Sequence, residues 1–139
     1  MARESIEKSG RLSTRDELTG LYNRQYFIER VNEENSRAAA ADSVTGLMFI
    51  VPDNFREITS IYGHQTENII IAETAKKILR MLNSCGIAAR YGDEVFTVLS
   101  PGTTVQAMSD TAEKIRRNAG ESPVITADGE FTVTVSIMV

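Results

Sequence analysis

The chain has 139 residues, 42% of them hydrophobic and 24% charged, which is the composition of one globular domain and argues against a disordered chain. Its 15 basic and 19 acidic residues give a net charge of −4, which argues against a nucleic-acid binder and a polybasic membrane anchor. The longest apolar run, residues 47–51, is too short to span a bilayer, and the single cysteine excludes an internal disulfide framework. We therefore expect a cytoplasmic domain with no nucleic-acid partner and no direct membrane contact.

The first third of the chain predicts a leading segment, a helix and a buried strand. Residues 1–15 are mostly polar and charged, as in a linker or in a helix that leads into a domain. Residues 23–41 predict a helix, because they carry a modest apolar face and end in a run of alanines. The unbroken apolar run 47–51 fits a strand buried on both faces, and Pro52 ends it because proline lacks a backbone donor.

The middle of the chain predicts two helices and a hairpin. Asp53 and Asn54 are capping residue types, and they predict a short helix over residues 55–61. Apolar residues then recur at helical spacing over residues 67–83, which predicts a long helix with one face in the core. Residues 87–91 and 95–99 are strand-like and are separated by a tight turn, which predicts a β-hairpin.

The last part predicts a helix and a closing strand. Thr103 with Gln106 predicts a capping box at the start of a helix over residues 104–118. Residues 131–139 alternate apolar and polar side chains, which predicts one long strand. The order α-β-α-α-β-β-α-β resembles a ferredoxin-like split βαβ core, so we predict an α/β (α+β) fold whose central, mainly antiparallel sheet is flanked by helices. Because the chain stops within a predicted strand, we expect the domain over residues 16–139 to lack its C-terminal part.

Common catalytic and nucleotide-binding signatures are absent from the sequence. It contains neither GxxxxGK[ST] nor GxGxxG. The one histidine, His64, stands in a predicted turn, and no serine or cysteine has a base nearby in the pattern. We therefore predict neither a P-loop nor a nucleophilic triad.

Three clusters of glycine, aromatic and charged residues stand out instead. They are residues 16–24, residues 53–56 with 62–64, and residues 90–96. In this order they resemble the GGDEF domain of diguanylate cyclases, whose D-x-L-T-G-L-x-N-R run is similar to residues 16–24 and whose T-V-S-I-G strand is similar to residues 134–137. The resemblance covers residues 16–139 and implies a fold like that of nucleotidyl cyclases and the polymerase palm.

The resemblance also implies a reaction and a metal requirement. Such enzymes join two GTP molecules, each held by one of two facing domains, into cyclic di-GMP. Metal ions bridge the phosphates, and an aspartate at the end of the first strand and the fourth signature residue hold them. Those two positions are Val51 and Val95 here, so we expect no metal site, and only Glu94 keeps a signature acid.

Other positions of the family's sites also differ in this chain. The degenerate signature is Gly92, Asp93, Glu94, Val95, Phe96. Asp93 replaces the second glycine and would place a negative charge beside a triphosphate. Thr59 and Asn68 replace the asparagine and the aspartate that recognise guanine, and an amide cannot reproduce the pairing of a carboxylate with guanine. Asn83 and Gly86 replace the ends of the inhibitory R-x-x-D motif, so no inhibitory site is expected.

These departures predict a catalytically inactive GGDEF-like regulatory or interaction module of a larger cyclic di-GMP signalling protein. The resemblance implies a neighbouring sensor or EAL-type domain, the latter able to carry a separate activity, and a homodimer as a further partner. One alternative is an allosteric domain that binds GTP without cyclising it. No cofactor is expected, and Mg²⁺ would be needed only if GTP binding is retained. Another is a weakly active diguanylate cyclase that uses Asp53 and Glu94 as metal ligands.

Overall fold

The computed structural model of the chain describes residues 13–41, 43–82 and 86–139. Most of the predicted leading segment, residues 1–12, lies outside the described residues. No helix in the described part combines the length and the apolar character that crossing a membrane requires. The helices are α1 (Arg24–Ala41), α2 (Phe55–Tyr62), α3 (His64–Met81) and α4 (Val105–Glu121). The strands are β1 (Gly46–Pro52), β2 (Ile87–Gly92), β3 (Val95–Ser100), β4 (Val124–Thr126), β5 (Gly129–Phe131) and β6 (Val135–Met138).

A four-stranded sheet lies at the centre of the fold, with the strand order β2-β3-β1-β6. Every neighbouring pair in it is antiparallel. β1 has a strand on each side, but the prediction that it is buried on both faces is wrong. Met48, Ile50 and Pro52 are buried, whereas the alternate residues are half-buried or, at Leu47, 36% exposed. The remaining strands, β4 and β5, form a separate two-stranded sheet. The architecture confirms the predicted α+β class, an antiparallel sheet with helices packed against it.

The main hydrophobic core lies between one face of the sheet and the helices α2, α3 and α4. The face of α3 that enters this core repeats at steps of three and four residues, as the sequence predicts. The core members from α3, β1 and β3 are Ile70, Ile71, Ala75, Ile78, Met48, Ile50, Phe96 and Val98. A smaller cluster of Phe27, Ala89 and Leu99 joins α1 to the opposite face of the sheet. The sheet is therefore held from both sides at β2 and β3.

A buried lysine joins α3 to the end of α4. The Lys77 Nζ donates hydrogen bonds to the carbonyl oxygens of Ala119, at 3.3 Å, and of Ser122. These carbonyls lie in the last turn of α4 and just beyond it, where helical carbonyls lack intrahelical partners. Burial lowers the pKa of Lys77. The lysine is thus a C-terminal cap supplied by a neighbouring helix.

The helix starts differ from the predicted ones in two places. α3 begins at His64, three residues before the predicted start at 67, because Gly63, at φ 87°, alone separates it from α2. The predicted capping box of α4 is wrong. The Thr104 hydroxyl, not that of Thr103, accepts a hydrogen bond from the Ala107 N–H at 3.0 Å, while the Gln106 amide donates to Asp110.

The predicted single strand over residues 131–139 is also wrong. Phe131 ends β5 and pairs with Val124, whereas Val135 begins β6 and pairs with Pro52. Burial still alternates through the link, since Val133 is buried between exposed neighbours. The alternating pattern therefore marks the inward-facing residues correctly as far as Ile137 but not Val139, which is 58% exposed, and it does not reveal that the two ends have different partner strands.

We predict that Ile71→Ala destabilises the chain strongly. Ile71 is fully buried at 0% exposure, and emptying such a site costs about 2–5 kcal/mol of unfolding free energy. Leu79→Ala is the matched control on the same helix, because Leu79 is 50% exposed and its loss should cost less than about 1 kcal/mol. Urea unfolding followed by circular dichroism measures both, and equal costs would contradict the assigned face of α3.

Candidate functional site

The end of β1 lies beside the start of β3, where the strands of the sheet end near the signature hairpin. We call this end of the sheet, with Val51, Asp53 and residues 92–95, the signature edge. The register pairs Phe49 with Thr97 and Ile50 with Phe96, so the next position places Val51 opposite Val95. Residues opposite each other on neighbouring strands have Cβ atoms about 4.5–5.5 Å apart. Both valines are half-buried. The structure thus brings together the two positions at which the resemblance implies metal ligands, and both side chains are apolar.

The hairpin between β2 and β3 turns at Asp93 and Glu94. Gly92 pairs with Val95, and the register shifts between Arg90 and Gly92, which leaves a β-bulge at the tip. The Arg90 Nη2 donates to the Asp93 carbonyl oxygen at 2.8 Å, which fixes the backbone of the turn. The Asp93 side chain is exposed. The hairpin predicted from the sequence is present, and its tip is held by an arginine of its own strand.

The remaining signature acid, Glu94, is close to a positive charge. The Arg56 Nε lies 3.4 Å from the Glu94 Oε1. The Arg56 side chain is 89% exposed, whereas that of Glu94 is 23% exposed. Water screens a pair with so exposed a partner, so it contributes little to stability. The guanidinium nevertheless places a cation beside the carboxylate.

Asp53 does not cap α2, contrary to the prediction from sequence. Its Oδ1 accepts a hydrogen bond from the Ser136 hydroxyl at 2.6 Å, and its Oδ2 accepts one from the Thr134 hydroxyl at 2.7 Å. Its backbone N–H also donates to the Thr134 carbonyl at 2.8 Å. Asn54 precedes α2 in the left-handed conformation, at φ 58°, and its side chain caps nothing. Both predicted capping side chains therefore have other roles or none.

The predicted guanine-recognition positions lie on α2 and α3. The Thr59 hydroxyl donates to the Phe55 carbonyl at 3.0 Å and lies 3.3 Å from the Glu67 Oε2. Asn68 is exposed on α3. The other Glu67 oxygen lies 2.8 Å from the His64 Nδ1. Glu67 was not identified from the sequence, although its three-residue spacing from His64 on a helix is a usable signal.

Residues 16–24 form a turn that is fastened to β2. The Asp16 Oδ2 accepts hydrogen bonds from the Thr19 N–H and hydroxyl, each at 2.9 Å, and the Arg90 Nη1 lies 3.3 Å from the Asp16 Oδ1. The Arg90 N–H donates to the Tyr22 carbonyl at 2.9 Å, and Leu21 is buried. The strongest motif of the sequence is therefore a structural anchor, and Arg90 joins it to the hairpin.

The residues at this edge do not fit a divalent cation. Mg²⁺ prefers oxygen ligands in octahedral geometry, and the valines at positions 51 and 95 offer none. Within residues 13–41, 43–82 and 86–139, no three His, Cys, Asp or Glu side chains gather closely enough to hold a metal ion. Of the two predicted inhibitory-site positions, Gly86 lies just before β2, and Asn83 lies outside the described residues.

Comparison with known proteins relates this architecture to one family. Residues 13–139 match the family described as "Diguanylate cyclase, GGDEF domain". Diguanylate cyclase A of Treponema denticola is 32% identical over 130 residues, which cover 91% of this chain and 35% of that protein. The chain spans between 30% and 35% of the length of the first curated relatives that it matches.

Two solved structures agree with the fold. Diguanylate cyclase SiaD from Pseudomonas aeruginosa, in complex with its activator SiaC, superposes with a TM-score of 0.86 at 28% identity, covering 99% of this chain and 53% of that one. The GGDEF domain of DgcB from Caulobacter crescentus, in complex with c-di-GMP, has a TM-score of 0.85 at 28% identity, covering 89% of this chain and 72% of that one. The fold implied by the resemblance is confirmed.

We predict that Asp16→Ala destabilises the chain by about 2 kcal/mol, because it removes the carboxylate that holds both Thr19 and Arg90. Glu17→Ala is the control, since Glu17 is exposed in the same turn and should cost less than about 0.5 kcal/mol. Urea unfolding measures both variants. In a double-mutant cycle that combines Asp16→Ala with Arg90→Met, the losses of unfolding free energy should differ from additivity by at least about 0.5 kcal/mol. Strictly additive losses would contradict the contact between Asp16 and Arg90.

Proposed function

The chain belongs to the GGDEF family of diguanylate cyclases, and we propose that it is a catalytically inactive member of that family. In this proposal it acts in the cytoplasm as a regulatory or interaction module of a larger cyclic di-GMP signalling protein. The family membership supports the signalling context, and the residues at the signature edge of the sheet support the loss of activity.

The observation that carries the proposal is that the neighbouring ends of β1 and β3 carry valines, Val51 and Val95. Joining two GTP molecules requires metal ions that bridge the phosphates and activate the attacking hydroxyl. The two positions where family members place the metal-holding acids lie one step beyond the last β1–β3 ladder pair, Ile50 with Phe96, and both are valines. Replacing one acid would weaken a metal site, whereas replacing both removes its protein ligands together.

The nucleotide-binding positions support the same conclusion. Asp93 is exposed at the hairpin tip, where its charge would oppose a triphosphate. The Thr59 hydroxyl lies beside Glu67, which in turn contacts His64. Glu67 therefore occupies space next to a predicted guanine-recognition position, and its contacts are already satisfied within the chain. A guanine base would have to compete with these contacts.

The proposed partners follow from the context of related proteins. The chain spans only about a third of the curated relatives that it matches, so relatives carry further segments beside this domain. SiaD, which this chain resembles in fold, was solved with an activator protein. We propose that this module acts on a neighbouring sensor or EAL-type domain, or on a second copy of itself, through its surface rather than through a product.

Titration with GTP, together with detection of the product, distinguishes two other functions from that of an inactive module. An allosteric domain that binds GTP without cyclising it would show saturable GTP binding and no product. A weakly active cyclase that uses Asp53 and Glu94 as ligands would form product that disappears when either acid is neutralised. The inactive module, in contrast, should show neither effect at physiological nucleotide concentrations.

We predict that the 139-residue chain forms no cyclic di-GMP from GTP with Mg²⁺ or Mn²⁺ above background. Each loss of about 1.4 kcal/mol in transition-state stabilisation lowers a rate tenfold, and a missing metal removes several such increments. Chromatographic detection of the product measures this, with diguanylate cyclase A of Treponema denticola as the positive control. Product that scales with protein concentration and is lost in Glu94→Gln would contradict the proposal.

We predict that Val51→Asp with Val95→Glu restores Mg²⁺-dependent GTP binding but little cyclisation. Two facing carboxylates should lower the melting temperature in EDTA, because like charges on opposed positions repel. Bound Mg²⁺-GTP should then raise the melting temperature, because a ligand at a hundredfold excess over its Kd adds about 2.7 kcal/mol to the free energy of unfolding. Cyclisation should stay low because Asp93, Thr59 and Asn68 are unchanged.

The matched control for this double variant is Val51→Asn with Val95→Gln. It introduces side chains of the same shape without charge, so it should bind little Mg²⁺-GTP. Thermal melts with and without the ligand compare the two variants. Equal responses of both to Mg²⁺-GTP would mean that positions 51 and 95 do not form the metal site of the family.

A further inference from the structure

Asp53 is the acid closest in sequence to the missing ligand at position 51, and both of its oxygens are already engaged. The Ser136 and Thr134 hydroxyls donate to them at 2.6 and 2.7 Å. Such short O–H···O⁻ distances are typical of charge-assisted hydrogen bonds. The Asp53 N–H adds a third bond, to the Thr134 carbonyl at 2.8 Å. Three hydrogen bonds therefore tie the turn after β1 to β6 and the residue before it.

This contact matters because β6 has strand pairing on one side only. In the sheet order β2-β3-β1-β6, β6 pairs with β1 alone. The ladder between them joins residues 49–52 to residues 135–138. Asp53 lies directly beyond one end of that ladder, where it bonds to hydroxyls on both sides of Val135. Its carboxylate thus extends a short strand pairing with side-chain hydrogen bonds.

The same arrangement disfavours a cation. A metal ion at Asp53 would have to compete with two hydroxyl donors, which already occupy one lone pair on each carboxylate oxygen. The neighbouring valines at positions 51 and 95 supply no oxygen. The other remaining acid, Glu94, lies 3.4 Å from the Arg56 guanidinium, whose charge repels a cation.

Building on the proposed function, we infer that Asp53 is a structural clamp between the β1–α2 turn and β6, and that this site takes no divalent cation. In this inference Asp53 and Glu94, the acids that remain at the signature edge, contact other protein groups and do not bind a metal. Asp53 is the strong contact of the two, because Glu94 pairs with an exposed arginine. The inference separates the chain from a weak cyclase with substitute ligands.

The clamp is tested by thermal melts of single substitutions in the 139-residue chain. Asp53→Asn should lower the melting temperature by about 4 °C, whereas Glu94→Gln should change it by less than about 1 °C. The double variant Thr134→Val, Ser136→Ala should fall by a similar amount to Asp53→Asn, and combining all three changes should add little more. An Asp53→Asn variant that melts with the parent, or full additivity in the cycle, would overturn the clamp.

The absence of a cation site is tested with Mn²⁺ alone, followed by electron paramagnetic resonance. The parent chain should show no saturable Mn²⁺ binding at submillimolar concentrations, and the variant with Val51→Asp and Val95→Glu should show it. Saturable binding by the parent that disappears in Asp53→Asn or Glu94→Gln would overturn the inference. The Mn²⁺ titration contains no GTP, so saturable binding by the parent would leave the proposed inactivity intact. Formation of cyclic di-GMP in the separate cyclisation assay would overturn the proposed inactivity.

Discussion

Side chains alternate between the two faces of a sheet, so the pairing of β1 with β3 decides which residues meet at the signature edge. Ile50 lies opposite Phe96, and both are completely buried in the main core. A slip of one residue would move Phe96 to the other face of the sheet and remove it from the main core. The core therefore fixes the register, and the register places Val51 beside Val95. The chemistry at this edge is set by packing several ångströms away from it.

The valine pair is compatible with a stable sheet in a way that two acids without metal are not. β-Branched apolar residues pack well on a half-buried sheet surface, whereas like charges on facing positions destabilise a strand pair. Asp53 lies at the same end of the sheet, and its carboxylate is stabilised by hydrogen bonds from two hydroxyl donors. Both Asp53 and Glu94 therefore have partners from the protein itself.

Much of this fold follows from short-range sequence patterns. The spacing of Ile71, Ala75 and Ile78 predicts the buried face of α3, and two strand-like runs around Asp93 predict the hairpin. The three-residue strands β4 and β5 are too short to show a period. The partners of Asp53 are 81 and 83 residues away, and Lys77 reaches carbonyls 42 and 45 residues away. Such contacts depend on the assembled topology and leave no local signal.

The positions that match the family and those that differ from it have different physical roles. Asp16 and Arg90 bond to each other, Phe96 fills the core, and Thr134 and Ser136 hold Asp53. The differing positions lie at the end of β1, at the hairpin and on α2 and α3, and every one of them is half-buried or exposed. Their residues are Val51, Thr59, Asn68, Asp93 and Val95. Because the first set maintains the fold and the second stands where the family resemblance implies nucleotide and metal contacts, the proposed loss of the reaction is compatible with an intact fold. A strong family resemblance in this chain therefore reports on architecture, and activity has to be judged from the second set alone.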